Sequence, residues 1–188
     1  MTQRFDIVIS GASFAGLALA RALFSAFGSG IRIAVVDRAP RKDTPPAEDG
    51  RAFALSAGAR RMLDTLGVWS TVADAAQPVH EIEITDSSLE AGIRPVLLKY
   101  DNHVSEEGEP ASYIVPAAAL ERALYDAVAS DAGLTFIAPA EIARFTDTGS
   151  TMAIALRDGA ELSATLLVGA EGRRSASREA AHIKTVGW

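Results

Sequence analysis

Apolar and polar positions alternate along this chain in blocks that change period. The apolar run Phe5 to Ser10 predicts a first strand, Gly11 to Gly16 a turn, and the alanine-rich stretch after it a helix. Ile31 to Val36 is β-branched and predicts a second strand. Leu55, Ala59, Met62, Leu63 and Leu66 fall at helical spacing, with Ser56 as an early cap and Gly67 as the terminating residue. From His80 to Thr85 polar and apolar residues alternate, and Val96 to Tyr100 is a further strand candidate, so this part predicts antiparallel sheet. Ala117 to Ser130 predicts a helix. Four short strands follow, around Thr135 to Ala138, Glu141 to Phe145, Met152 to Leu156 and Glu161 to Val168, with turns at Gly149 and Asp158-Gly159.

Two stretches interrupt this pattern. Pro40 to Gly50 and Asn102 to Ala111 are rich in proline, glycine and charge and predict loops. A strand, helix, strand opening that leads through a meander into Leu166-Leu167-Val168 predicts an α/β fold: a parallel sheet with helices on one side and an antiparallel patch on the other.

The opening carries the chemistry. A diphosphate needs concentrated hydrogen-bond donors and no side chain in the way, and a glycine turn feeding a helix N-terminus supplies both. Gly11 permits the tight turn and Gly16 lets the helix approach its strand, while Ser13 stands where such turns usually place a second glycine. Its small side chain still admits a diphosphate. Asp37 closes the second strand 21 residues after Gly16, close to the ~20-residue distance at which these folds place a ribose-binding carboxylate. Reading Ser13 as a hydrolase nucleophile fails on spacing, because Ala15 stands where that elbow requires glycine.

Composition narrows the classes further. With 188 residues, 48% hydrophobic and 22% charged, the chain has enough apolar material for a real core. A net charge of −6, with no basic grouping longer than pairs such as Arg60-Arg61 and Arg173-Arg174, argues against nucleic acid as a partner. The absence of cysteine excludes disulfides and thiolate chemistry and points to the cytoplasm. The uncharged stretch Ile7 to Ala20 has 14 residues, short of the ~20 of a membrane span. His80, His103 and His182 lie scattered in the sequence without ligand spacing, so no metal site is expected.

Two segments carry a family resemblance. Gly50-Arg51-Ala52-Phe53-Ala54-Leu55-Ser56, continuing through Leu63, Leu66, Gly67, Val68 and Trp69, is one; Leu166 to Arg178, containing Glu171-Gly172, is the other. Together with the opening, they resemble the ubiquinone-biosynthesis hydroxylases, within the FAD-dependent aromatic monooxygenases related to p-hydroxybenzoate hydroxylase. The resemblance covers essentially the whole chain. It implies a Rossmann-like FAD-binding domain, with a parallel sheet, a small antiparallel meander and the first strands of an incomplete substrate domain, divided as 1–78, 79–114 and 115–188. It also implies FAD at Gly11, Ser13, Phe14, Ala15 and Gly16 for the diphosphate, Asp37 for the ribose, Arg38 on the adenine side, Arg51 on the flavin side, and Glu171 and Gly172 as a further contact. Relatives carry Asp-Gly where this chain has Glu171-Gly172, and often Asn or Gln near Ala117.

The implied activity is that of an oxidoreductase: NADPH or NADH reduces the flavin, and one oxygen atom of O2 passes to an aromatic ring of a small-molecule substrate. No side chain is nominated as a catalytic acid, base or nucleophile. Relatives continue well beyond this length, so the chain is expected to be a fragment, inactive by itself, with apolar surface near Val168 uncovered and a tendency to form homo-oligomers. A hydrophobic substrate implies peripheral contact with the inner face of a membrane. The alternative is a flavin-free NAD-binding dehydrogenase domain, which shares the opening but not the Arg51 and Glu171-Gly172 segments.

Overall fold

The computed structural model describes residues 2–40, 50–104 and 108–186, without the side chain of Arg174. Most of the expected Pro40 to Gly50 loop and the middle of the Asn102 to Ala111 loop lie outside them. The chain forms two compact units, residues 1–46 with 121–188, and residues 47–120. The divisions at 78/79 and 114/115 drawn from the sequence both fall inside the second.

In the first unit, β1 (Gln3–Ser10) leads through the glycine turn into α1 (Phe14–Phe27) and then β2 (Ile33–Val36). All four residues of β2 are buried, which is what a continuous β-branched run in a central parallel strand requires. Residues 121–188 complete the sheet with four more strands. These are β8 (Leu134–Ile137), β9 (Ile142–Asp147), β10 (Met152–Leu156) and β11 (Glu161–Gly169). Their order is β8-β2-β1-β11-β10-β9. The first four are parallel, with Val8 opposite both Ala34 and Leu167, and β9, β10 and β11 form an antiparallel meander. Gly149 and Gly159 turn that meander with φ of +87° and +90°.

Phe5, Val8, Ala34, Val36, Ile154, Leu156, Leu162 and Ala164 form one buried cluster of this sheet. Ile9, Ile33 and Val35 are also fully buried, as is Leu17 of α1, the helix that packs on β1 and β2. The helix α4 (Ala117–Ala129) enters this unit at residue 121, and its Tyr125 ring lies 5.2 Å from Phe136 of β8.

The second unit contains strands that the sequence reading lacks. Ala52–Ser56 forms a strand, β3, which takes Leu55 out of the helical pattern, and the helix α2 spans Ala57–Thr65 after its expected cap Ser56. Phe53 and Leu55 alternate with small residues, and pairing with β7 (Ser112–Pro116) holds them extended. β4 (Gln77–Val79), also absent from the expectation, takes the edge of the β3-β7-β4 sheet, where Pro78 costs no ladder bond. Ser56 caps α2 by accepting from the Ala59 amide at 3.2 Å, and Gly67 ends it with φ of +71°. α3 (Trp69–Val72) follows, and Trp69 meets Tyr113 edge-on at 5.2 Å between centroids.

The same unit also brings two histidines together. β5 (Glu81–Thr85) pairs with β6 (Val96–Asp101) so that Glu81 faces Asp101, and this register brings the flanking His80 and His103 together, Nδ1 to Nε2 at 3.2 Å. A separation of 23 residues in sequence hides that contact. The short helix α5 (Ala176–Ala180) belongs to the first unit.

Candidate dinucleotide site

A groove of about 360 Å³ opens at the C-terminal ends of the parallel strands, the position at which open α/β sheets take their ligands. Its wall includes Gly11, Ser13, Asp37, Arg38 and Glu171. All are residues that the sequence marks out.

Backbone fit explains the two glycines. Gly11 sits at φ of +110°, and a Cβ there would lie 2.6 Å from the Ala170 carbonyl oxygen. A Cβ on Gly16 would fall on the carbonyl of Gly11, so α1 reaches the turn only because residue 16 has no side chain. The turn is fastened on both sides, since the Gly11 amide donates to Val36 O at 2.8 Å and the Ala170 amide donates to Ser10 O at 2.7 Å. Ser13 is the N-cap of α1, and its hydroxyl makes no capping bond. Phe14 begins the helix, and Ala15 stands exposed in its first turn. The amides of this turn and the hydroxyl of Ser13 therefore form a donor-rich rim, which fits a diphosphate.

Asp37 couples the strand end to the turn. Its Oδ2 accepts from the Ala12 amide at 2.6 Å and its Oδ1 from the Ala39 amide at 2.7 Å. A carboxylate has about four lone-pair sites, so these two bonds orient Asp37 and leave acceptor capacity for sugar hydroxyls. The chain's own donor set thus suits a phosphorylated ribose.

Glu171 differs in this respect. Oε1 accepts from the hydroxyls of Ser10 and, at 3.0 Å, Ser177, while Oε2 accepts from the Ser175 hydroxyl and the Ser177 amide, both at 2.8 Å. Burial pushes the Glu171 carboxyl up, but those four bonds together outweigh it and hold the group below its ordinary value. Gly172, at φ of +75°, starts a short 3-10 turn to Arg174 and is exposed. Arg51 belongs to the second unit, where its carbonyl accepts from the Ala117 amide at 2.9 Å.

Sequence reasoning missed the aromatic wall. Tyr125 and Phe136 line the groove together with Ala138 and Ala140, and the signal was the parallel order that sets β8 beside β2. Among the described residues, no group of three or more His, Cys, Asp or Glu side chains is placed to hold a metal ion, and no helix is long and apolar enough to cross a membrane.

Comparison with known proteins agrees with this geometry. The ubiquinone hydroxylase UbiL of Rhodospirillum rubrum is 31% identical over 186 residues, which is 97% of this chain and 41% of the relative. Ubiquinone hydroxylase UbiM of Neisseria meningitidis is 28% identical over 95% of the chain and 38% of its own length. The chain therefore spans about two fifths of the length of these curated relatives. Among solved structures, p-nitrophenol 4-monooxygenase PnpA from Pseudomonas putida superposes with a TM-score of 0.81 at 16% identity, over 100% of this chain and 46% of that one. PqsL, a probable FAD-dependent monooxygenase from Pseudomonas aeruginosa, gives 0.78 at 22%, over 98% and 47%. At those identities the structures speak to the fold. The family pattern described as an FAD binding domain matches residues 4–187, which leaves the flavin-free alternative without support. By its strands, its turn and that match over nearly its whole length, the chain belongs to the FAD binding domain family.

Proposed function

We propose that this chain is the cofactor-gripping part of an FAD-dependent monooxygenase that hydroxylates an aromatic ring, a ubiquinone precursor, with NADPH or NADH as reductant. The observation that carries the reading is Asp37, held by the Ala12 amide beside the Gly11 to Gly16 turn and still able to accept from a ribose. Bound FAD supplies the redox chemistry, taking electrons from the nicotinamide and activating dioxygen.

The chain's residues bind and orient. Amides from Ser13 to Gly16 and the Ser13 hydroxyl face the diphosphate, Asp37 takes the ribose, and Arg38 lies on the adenine side. Arg51 and the Glu171-Gly172 pair are assigned to the flavin half. A hydrophobic ring substrate supports a cytoplasmic protein working at the inner face of a membrane. Apolar side chains on β5 and β6, such as Ile82, Leu97 and Leu98, support self-association.

FAD titration tests the reading. The purified chain is expected to quench FAD fluorescence saturably, and Asp37→Ala to weaken binding by about 1.5–3 kcal/mol, the worth of hydrogen bonds to a charged group. A wild-type chain that takes up no FAD overturns the proposal.

A further inference from the structure

We propose that His80 and His103, at the base of the β5-β6 hairpin, form a two-histidine site for a late first-row divalent metal ion, Cu2+ or Zn2+. This departs from the sequence expectation of no metal site. Its residues lie in the second unit and none of them lines the dinucleotide groove, so it stands apart from the FAD reading.

Spacing is the first ground. Two imidazole nitrogens that bind one tetrahedral ion at about 2.0–2.1 Å each stand roughly 3.3 Å from one another. His80 Nδ1 and His103 Nε2 are 3.2 Å apart, with ring centroids 5.4 Å apart, so the nitrogens face each other across a gap of that width. A small turn of both rings aims their lone pairs at one ion.

Orientation is the second. An ionised carboxylate only accepts, so the contact of Asp101 Oδ1 with His103 Nδ1 keeps the proton of the neutral ring on Nδ1 and leaves the lone pair on Nε2, facing His80. The same carboxylate–histidine pairing orients histidine ligands in metal centres and makes them more basic. Without metal, His80 Nδ1 donates to that lone pair. With metal, the His80 proton sits on Nε2 instead, so a neutral pair takes up the ion by a change of tautomer and releases no proton.

Backbone support is the third ground. The Asn102 amide donates to His80 O at 2.8 Å, and the Asn102 side chain donates to Val79 O at 2.6 Å and to Ser112 Oγ at 2.9 Å. His103 bridges to Pro110, so the main chain of both histidines is held in place before an ion arrives. His80 is exposed and the His103 side chain is 26% exposed, which gives an ion access. Two protein nitrogens leave the other positions to water, an arrangement that suits imidazole-seeking ions at the copper end of the divalent series and not Mg2+.

Titration of the tag-free full chain with CuCl2, ZnCl2 and MgCl2, read by calorimetry, tests the site. The expected result is one Cu2+ or Zn2+ per chain, Cu2+ bound more tightly than Zn2+, and no uptake of Mg2+. His80→Gln and His103→Gln are each expected to bind at least tenfold more weakly. Should either variant fail to fold, nitrogen NMR of the wild-type imidazoles decides: Zn2+ is expected to shift His80 Nδ1 and His103 Nε2 and to leave His182 unmoved. If neither Cu2+ nor Zn2+ is taken up one to one, if either folded variant binds as tightly as wild type, or if those two nitrogens do not shift, the histidines are a hydrogen-bonded pair only and the proposal falls.

Discussion

At the scale of single residues, the groove contrasts two carboxylates. Asp37 is oriented by two amides and keeps acceptor sites; Glu171 is filled by four donors. The filled one has a consequence for acid stability. Because its folded pKa lies below the ordinary 4.5, Glu171 stabilises the fold at neutral pH, and that contribution is lost as pH falls below about 4.5 toward the depressed value. Wild type minus Glu171→Gln, measured by thermal melting from pH 7 to pH 3, is expected to shrink over that acid range. A constant difference counts against the serine bonds. Gly16 offers a steric counterpart: in Gly16→Ala the new methyl meets backbone, which cannot rotate away. About 2 kcal/mol of stability should be lost, with FAD affinity falling too, as melting and titration will show.

At the scale of elements, sequence and structure agree where the period is long and the burial one-sided. β1, α1, β2, α4 and the meander were legible because their apolar runs match strand or helix periods over whole elements. β3, β4 and β7 were not, because Ala52–Ser56 reads equally as the approach to α2 and Gln77–Val79 is three residues with a central proline. Only cross-chain pairing, of Phe53 with Val115 and Pro78 with Tyr113, makes them strands. In the site, Asp37 and the glycine turn were visible from spacing, whereas the saturation of Glu171 was not, since its serine partners lie as far as 161 residues away. The ion pair of Arg21 on α1 with Asp131, 2.7 Å apart, locks that helix to the turn before β8. Asp131 is 8% exposed and Arg21 25%, so Asp131→Ala removes a buried carboxylate from a partly buried guanidinium. A loss of about 2 kcal/mol in denaturant melts is expected.

At the scale of the molecule, stability is uneven. The first unit holds strands buried across a six-stranded sheet, while β5 and β6 form a two-stranded sheet whose residues are all exposed. A lone hairpin of this kind is marginal in water, however apolar its side chains. Amide hydrogen exchange should therefore be faster in residues 81–101 than in β1 and β2 by at least about two orders of magnitude. Equal protection would show that the hairpin is covered in solution. The uncovered Leu166, half exposed on β11, fits the sequence expectation of apolar surface near Val168.

The sheet order also sets a schedule for synthesis. β1 is made before the other described strands, yet its parallel neighbour β11 is made only at residues 161–169, after both units' other described strands. Until then the nascent chain has Gly11 without the Ala170 carbonyl it leans on, and Ser10 without Glu171. The turn is thus braced only once residues 161–170 have been made, and a chain stalled before Glu161 has the glycine turn in its sequence but nothing to brace it.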